Sequence, residues 1–221
     1  MEKPVLYYCY DAYCGWCYGF SKVMKQVAAD YEDKFDIEVL SGGMIPADNP
    51  QPVGKTAPYI KNEYKRVEEL AGVKFGDDYL WHINNPGESD WFPHSEKAAV
   101  ALCIFKEYYP GKQVAFAADL QYALKFEGRD LTDDEAYRHL LTKYNLPVED
   151  FYTKLNSEGY KEKACYEFAL CAQLQVTGFP ALLIQMSETK FYLVARGYTA
   201  YEDVKQRIET IMQTGRDAGA A

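Results

Sequence analysis

The sequence predicts an α/β fold: a small mixed sheet assembled from the two ends of the chain, with an all-helical stretch between them. Three observations carry this. The opening alternates strand-like, helix-like and strand-like patterns. No convincing strand pattern occurs between residues 44 and 159. The last third then returns to helix, strand, strand and helix.

Val5-Leu6-Tyr7-Tyr8-Cys9-Tyr10 is a continuous apolar and aromatic run, which reads as a buried central strand. Phe20, Val23, Met24, Val27, Ala28 and Tyr31 then recur at helical spacing, with Lys22, Lys25, Gln26 and Asp30 off the stripe. Phe35 to Leu40 is a second strand, closed by Ser41-Gly42-Gly43, so the start reads as a right-handed parallel βαβ unit. Pro46 to Pro58 is a loop. Helices are expected over Tyr59–Leu70, Ser95–Tyr108 and Gln113–Glu127. Thr132-Asp133-Asp134-Glu135 reads as a capping box opening a helix through Tyr144. Ser157 to Gln175 is helical, Ala181–Gln185 and Phe191–Val194 form an antiparallel pair, and Tyr201, Val204, Ile208 and Ile211 stripe a closing helix. The expected organisation is a discontinuous domain of residues 1–43 and 160–214, a helical insertion of 44–159, and a flexible tail of 215–221.

The chain has 221 residues, 48% of them hydrophobic, which suffices for a sizeable core. A net charge of −9 with no basic cluster argues against nucleic acid or an anionic membrane as partner. No apolar run approaches the roughly 20 residues of a spanning helix. Met1-Glu2-Lys3-Pro4-Val5 enters the first strand with no secretory leader pattern, so a cytoplasmic location is expected. In that compartment a close cysteine pair is more often catalytic or metal-binding than structural.

The candidate chemistry lies in Asp11-Ala12-Tyr13-Cys14-Gly15-Trp16-Cys17, where the first strand pattern gives way to the first helix. A helix start exposes free N–H groups and favours a thiolate, so Cys14 should ionise more easily than an ordinary thiol. Cys17 is one turn on and on the same face. The pair reads as a dithiol that cycles to a disulfide, as half of a zinc site, or as buried packing. A structural zinc site needs four ligands; there is no second CxxC, and the histidines are at 82, 94 and 139, so no metal is expected. Cys9, Cys103, Cys165 and Cys171 read as small core residues. Cys165 and Cys171 diverge by about 120° on one helix and should not pair. Asp11 reads as a loop acid or helix cap, with a proton-relaying carboxylate near Cys17 as the alternative. Pro180 reads as an ordinary strand-opening proline, and Ser95 as a surface cap of its helix.

The element order, the CxxC at the first strand-to-helix turn and the Thr177-Gly178-Phe179-Pro180 turn before the third strand resemble a thioredoxin fold carrying a helical insertion. The chain is similar to the DsbA-like branch, and most of all to cytoplasmic predicted protein-disulfide isomerases of FrnE type. Their motif Asp-Pro-x-Cys-x-Trp-Cys followed by Tyr/Trp-Gly-Phe is matched by Asp11, Cys14, Trp16, Cys17, Tyr18, Gly19 and Phe20, with Ala12 in place of the usual Pro. Kappa-class glutathione transferases and hydroxychromene carboxylate isomerases are related, but carry Ser where Cys14 stands.

The resemblance implies a thiol–disulfide oxidoreductase with Cys14 as exposed nucleophile and Cys17 as buried resolving thiol. It implies a cis Pro180 that sets the Phe179 backbone beside Cys14. Asp11, Gly15, Trp16, Gly178, Phe179 and His94 would support or bind substrate; His94 and Ser95 occupy a place that faces the groove in relatives, and Trp16 reads equally as core packing or as a solvent-facing contact surface for substrate. No bound cofactor is implied beyond the redox-active cysteines, with glutathione as candidate reductant. The implied partners are protein or glutathione-like thiols and disulfides; the oligomeric state is left open. Gly15 and Trp16 carry no charge, so the pair should be less oxidising than a DsbA-type oxidase. Two other functions compete: a glutathione-dependent transferase or isomerase, and a holdase-like module using the chain's 20 tyrosines.

Overall fold

A computed structural model describes residues 3–219. Four strands form one mixed sheet in the order β2-β1-β3-β4. β1 (Val5–Tyr10) pairs parallel with β2 (Asp36–Ser41) and antiparallel with β3 (Ala181–Ser187), which pairs antiparallel with β4 (Lys190–Arg196). Alternation along β1 sends Leu6, Tyr8 and Tyr10 into the main core and Cys9 into a smaller cluster with Leu40, Cys171, Ala181 and Leu183.

α1 (Gly15–Tyr31) follows β1 and buries Phe20, Val23, Met24 and Val27, the stripe expected from its spacing. Between β2 and the last third lie α2 (Ala57–Ala71), α3 (Asp77–Asn84), α4 (Glu96–Tyr108), α5 (Gln113–Lys125), α6 (Arg138–Tyr144) and α7 (Val148–Leu155). α8 (Glu158–Gln173) precedes β3, and α9 (Tyr201–Gly219) follows β4. α2 and α5 pack on α1, while α4 and α8 pack on each other. One continuous buried core includes residues of the sheet, α1, α4 and α5. Among the described residues no helix is long and apolar enough to cross a membrane, and no group of three or more His, Cys, Asp or Glu side chains could hold a metal ion.

Several expectations change. α3 and α7 were not anticipated. Each has eight residues, and its buried stripe shrinks to one i, i+4 pair, Tyr79 with Ile83 and Phe151 with Leu155, too short to show a period. The expected capping box does not form: the Thr132 hydroxyl donates to Asp130 at 2.8 Å, and Asp133 accepts from the Glu135 N–H to open a 3₁₀ turn ahead of α6. Cys165 is exposed rather than in the core, because it sits away from the Ala164, Glu167 and Cys171 face that α8 buries. α9 continues past residue 214 to Gly219; Ala220 and Ala221, the end of the expected tail, lie outside the described residues. Tyr8, Tyr10, Tyr13, Tyr18, Tyr31, Tyr79 and Tyr137 are buried, which removes them from any tyrosine-rich surface.

Candidate active site

The cysteine turn sits where β1 hands over to α1. Cys14 is the N-cap of α1: its backbone is extended, and its Sγ accepts the Cys17 N–H at 3.3 Å. A sulfur thus occupies the place where Ser or Asp usually satisfies a free helix N–H. The Phe179–Pro180 peptide is cis, and the Phe179 carbonyl accepts from Cys14 Sγ at 3.5 Å, so two loops 165 residues apart meet at this sulfur.

The two thiols are driven apart electrostatically. A hydrogen bond from the Cys17 thiol pulls the Cys14 pKa below its ordinary value against the cost of burial; the Cys17 N–H and the Lys125 charge help, and Asp11 opposes. Burial pushes Cys17 well up, and its hydrogen bond to Cys14 and the Cys14 charge add to this. One sulfur is therefore prepared to ionise while its neighbour holds a proton.

Cys14 is not the exposed thiol that the resemblance implies. It is only 7% accessible, and Cys17 is 0%. The reason is α2 and the loops around α3, which raise aromatic walls over the turn. Cys14 lines a cavity of about 210 Å³ together with Gly15, Trp16 and Phe179 from the predicted set. Trp16 is partly buried: its ring packs against Tyr198 at 6.2 Å, and the Arg66 guanidinium lies 5.6 Å over it.

Asp11 is buried and caps no helix. Its carboxylate accepts the Tyr13 N–H at 2.9 Å and the Met44 N–H at 2.8 Å, tying the cysteine turn to the loop after β2. Burial raises its pKa despite these bonds and one from Ser95. Its backbone N–H, rather than its carboxylate, is hydrogen-bonded to Cys17. Ser95 is buried instead of forming a surface cap, because its hydroxyl is taken by the Ile45 N–H at 3.0 Å. His94 does not line the cavity, although its neighbour Pro93 does, and burial lowers its pKa. Gly178 also lies outside the cavity lining, with nothing within 4 Å of where a Cβ would stand.

Lys125 is the functional candidate missing from the sequence reading. It ends α5, is 2% exposed, and donates to the Tyr13 carbonyl at 2.9 Å and the Tyr79 hydroxyl at 3.0 Å. Gln121, one turn earlier, donates to the Asp11 carbonyl at 3.3 Å. α5 thus clasps the residues leading into Cys14. The available signal was spacing: Ala117, Gln121 and Lys125 form a buried i, i+4 row.

Gly42 is a close-approach position. A Cβ there would lie 1.9 Å from the tip of the Phe179 ring. Gly42→Ala is expected to cost about 1–3 kcal/mol through overpacking and to slow Cys14 chemistry by moving Phe179. A melting curve and exchange rate equal to those of the unmodified protein would contradict this.

The sequence profile of the DSBA-like thioredoxin domain matches residues 5–209. The chain belongs to the DSBA-like thioredoxin domain family. Within this family's fold, a candidate protein disulfide isomerase from Nitrosomonas europaea is similar at 25% identity, with a TM-score of 0.84 over 96% of this chain and 99% of that one. The cytosolic disulfide reductase DsbM from Pseudomonas aeruginosa, solved with GSH, is also 25% identical, with a TM-score of 0.74 over 95% and 99% of the two chains. A 2-hydroxychromene-2-carboxylate isomerase shares the fold at 13% identity, with a TM-score of 0.64 over 98% of each chain. No curated protein matches the sequence closely enough to count as a relative. DSBA-like membership and the disulfide reductase among the similar structures support a thiol–disulfide oxidoreductase in general terms.

Proposed function

We propose that Cys14 and Cys17 carry out dithiol–disulfide exchange in the cytoplasm, running in the reducing direction. The observation that carries this is the opposed ionisation of two sulfurs in one helical turn: Cys14 lowered at the head of α1, Cys17 raised beneath it. The Cys14 thiolate attacks a substrate disulfide, forms a mixed disulfide and expels one thiolate. Cys17 then attacks Cys14 Sγ, its proton passing to the departing second thiolate, and the Cys14–Cys17 disulfide remains. The Cys17 N–H at the α1 N-terminus holds the reacting thiolate, while the Phe179 carbonyl accepts from Cys14 Sγ only when that sulfur carries its proton. Glutathione is the proposed reductant that returns the pair to the dithiol; the similar DsbM was solved with GSH.

Reduced protein mixed with one equivalent of a small disulfide is expected to release both substrate halves as thiols and to end as the internal disulfide, read by thiol titration and mass. Release of neither half would defeat the proposal. The uncharged Gly15-Trp16 spacer supports the reducing direction; a glutathione equilibration giving a potential near about −120 mV, the DsbA value, would contradict it. Action on protein disulfides has less support, since so little of Cys14 is accessible. A transferase or isomerase reading draws only on the enclosed cavity. It requires conjugation of glutathione to an electrophile that persists in Cys17→Ser.

A further inference from the structure

The cavity above Cys14 is walled by aromatic rings, among them Tyr13, Trp16, Phe75, Tyr79 and Trp91, and is large enough for one small organic molecule. Into this largely apolar space the fold places one buried cation, Lys125, and one carboxylate, Glu63, which lies 3.9 Å from the Arg66 guanidinium. Lys125 gives two of its three donors to neutral oxygens, Tyr13 O and Tyr79 OH. The Tyr79 ring lies 4.7 Å from its Nζ. Among the described residues it has no ion-pair partner, and Asp11 spends its carboxylate on the Tyr13 and Met44 N–H groups. A desolvated ammonium that feels Asp11 only through space, with no direct ion pair, is costly, and here it lines a cavity wall where an anion from outside could meet it. Tyr13 is the residue before Cys14, so an anion held by Lys125 is held beside the reactive sulfur.

We propose that this cavity takes a small aromatic disulfide bearing a carboxylate, with Lys125 as counter-ion and Cys14 as attacking sulfur; this rests on the exchange reaction proposed above. Aromatic walls stack the ring, and the Lys125 ammonium meets its carboxylate. With only 7% of Cys14 accessible, a small disulfide reaches the sulfur more readily than one held in a folded protein. The chemistry balances as before: the Cys14 thiolate displaces one aryl thiolate, Cys17 displaces the second and gives it a proton, and two electrons pass from the dithiol to the substrate.

The test compares the rates at which reduced protein attacks dithiobis-nitrobenzoate, which is aromatic and anionic, and dithiodipyridine, which is aromatic and neutral. Each rate is divided by that for free N-acetylcysteine, which removes intrinsic reactivity. The normalised preference for the anionic disulfide is expected to be about tenfold or more, as for one charged hydrogen bond. It should vanish in Lys125→Met. Both disulfides meet the same thiolate, so any change in Cys14 ionisation cancels in the ratio. A second measurement needs no variant: naphthoate should protect Cys14 from dithiodipyridine at concentrations where naphthamide does not. Equal normalised rates, equal protection by the two naphthalenes, or faster attack on insulin than on either aromatic disulfide would overturn the proposal while leaving exchange at Cys14 intact. A Cys14 that reacts with no disulfide would remove both readings.

Discussion

Cys14→Ser is expected to lower disulfide exchange to the rate of the buffer thiol alone, and Cys17→Ser to stop it halfway. Serine is a good N-cap, so its hydroxyl can still accept the Cys17 N–H and α1 should keep its start. The loss is then chemical rather than structural. Cys17 cannot take over the attack: it has no accessible surface, and burial holds it protonated. In Cys17→Ser the Cys14 thiolate still attacks but no resolving sulfur remains. Mass spectrometry should find one substrate half bound to Cys14, with the other half released. Exchange that survives in Cys14→Ser, or release of both halves by Cys17→Ser without added thiol, would contradict the assigned roles.

The second large effect concerns stability. Lys106 on α4 lies 2.7 Å from Glu38 on β2 and 2.7 Å from Glu167 on α8, and also donates to the Val39 carbonyl. Glu167 further accepts the Ser41 N–H at 2.9 Å and the Cys103 thiol at 3.4 Å. The Lys106 and Glu167 side chains are 13% and 10% exposed, so this pair lies largely out of water. Lys106→Met strands the Glu167 carboxylate and is expected to cost about 3–5 kcal/mol, or on the order of 10 °C in Tm for a chain of this size. Adding Glu167→Gln should recover part of the loss, since the amide can still accept from Ser41 with no charge to compensate. A Tm within about 1 °C of the unmodified protein in Lys106→Met would contradict the account. The pH dependence has a definite sign. Burial pulls the Lys106 pKa down, but Glu167 and Glu38 outweigh it and hold it above its ordinary value. The contribution is therefore complete below about pH 10.4, the unfolded value, and disappears as pH rises through the folded one.

The sheet, α1 and the position of the cysteine turn were legible because their signals are local: a run of apolar residues, a stripe of period 3.6, and a CxxC at their junction. The meeting of Phe179 with Cys14 was legible only through the resemblance, since nothing near either residue points to the other. The cavity was not legible. It is made by α2, the loops flanking α3 and the end of α5, whose residues converge only in the folded chain. Lys125 is the plainest case. A lysine in the last turn of a helix reads as a charge complementing the helix dipole, and only the packing of α5 on α1 turns it inward. Ser95 and His94 differ in the opposite way: adjacent and both polar, they read as one pair, but the Ile45 N–H claims the serine and the histidine is not among the residues lining the cavity.

A titration of thiolate absorbance in the reduced protein, repeated in Cys14→Ser, tests the central claim most directly. One step is expected below the ordinary cysteine value of about 8.5, lost in Cys14→Ser, with Cys17 still protonated well above that pH. No step below that value, or a low step that persists in Cys14→Ser, would contradict Cys14 as the prepared nucleophile.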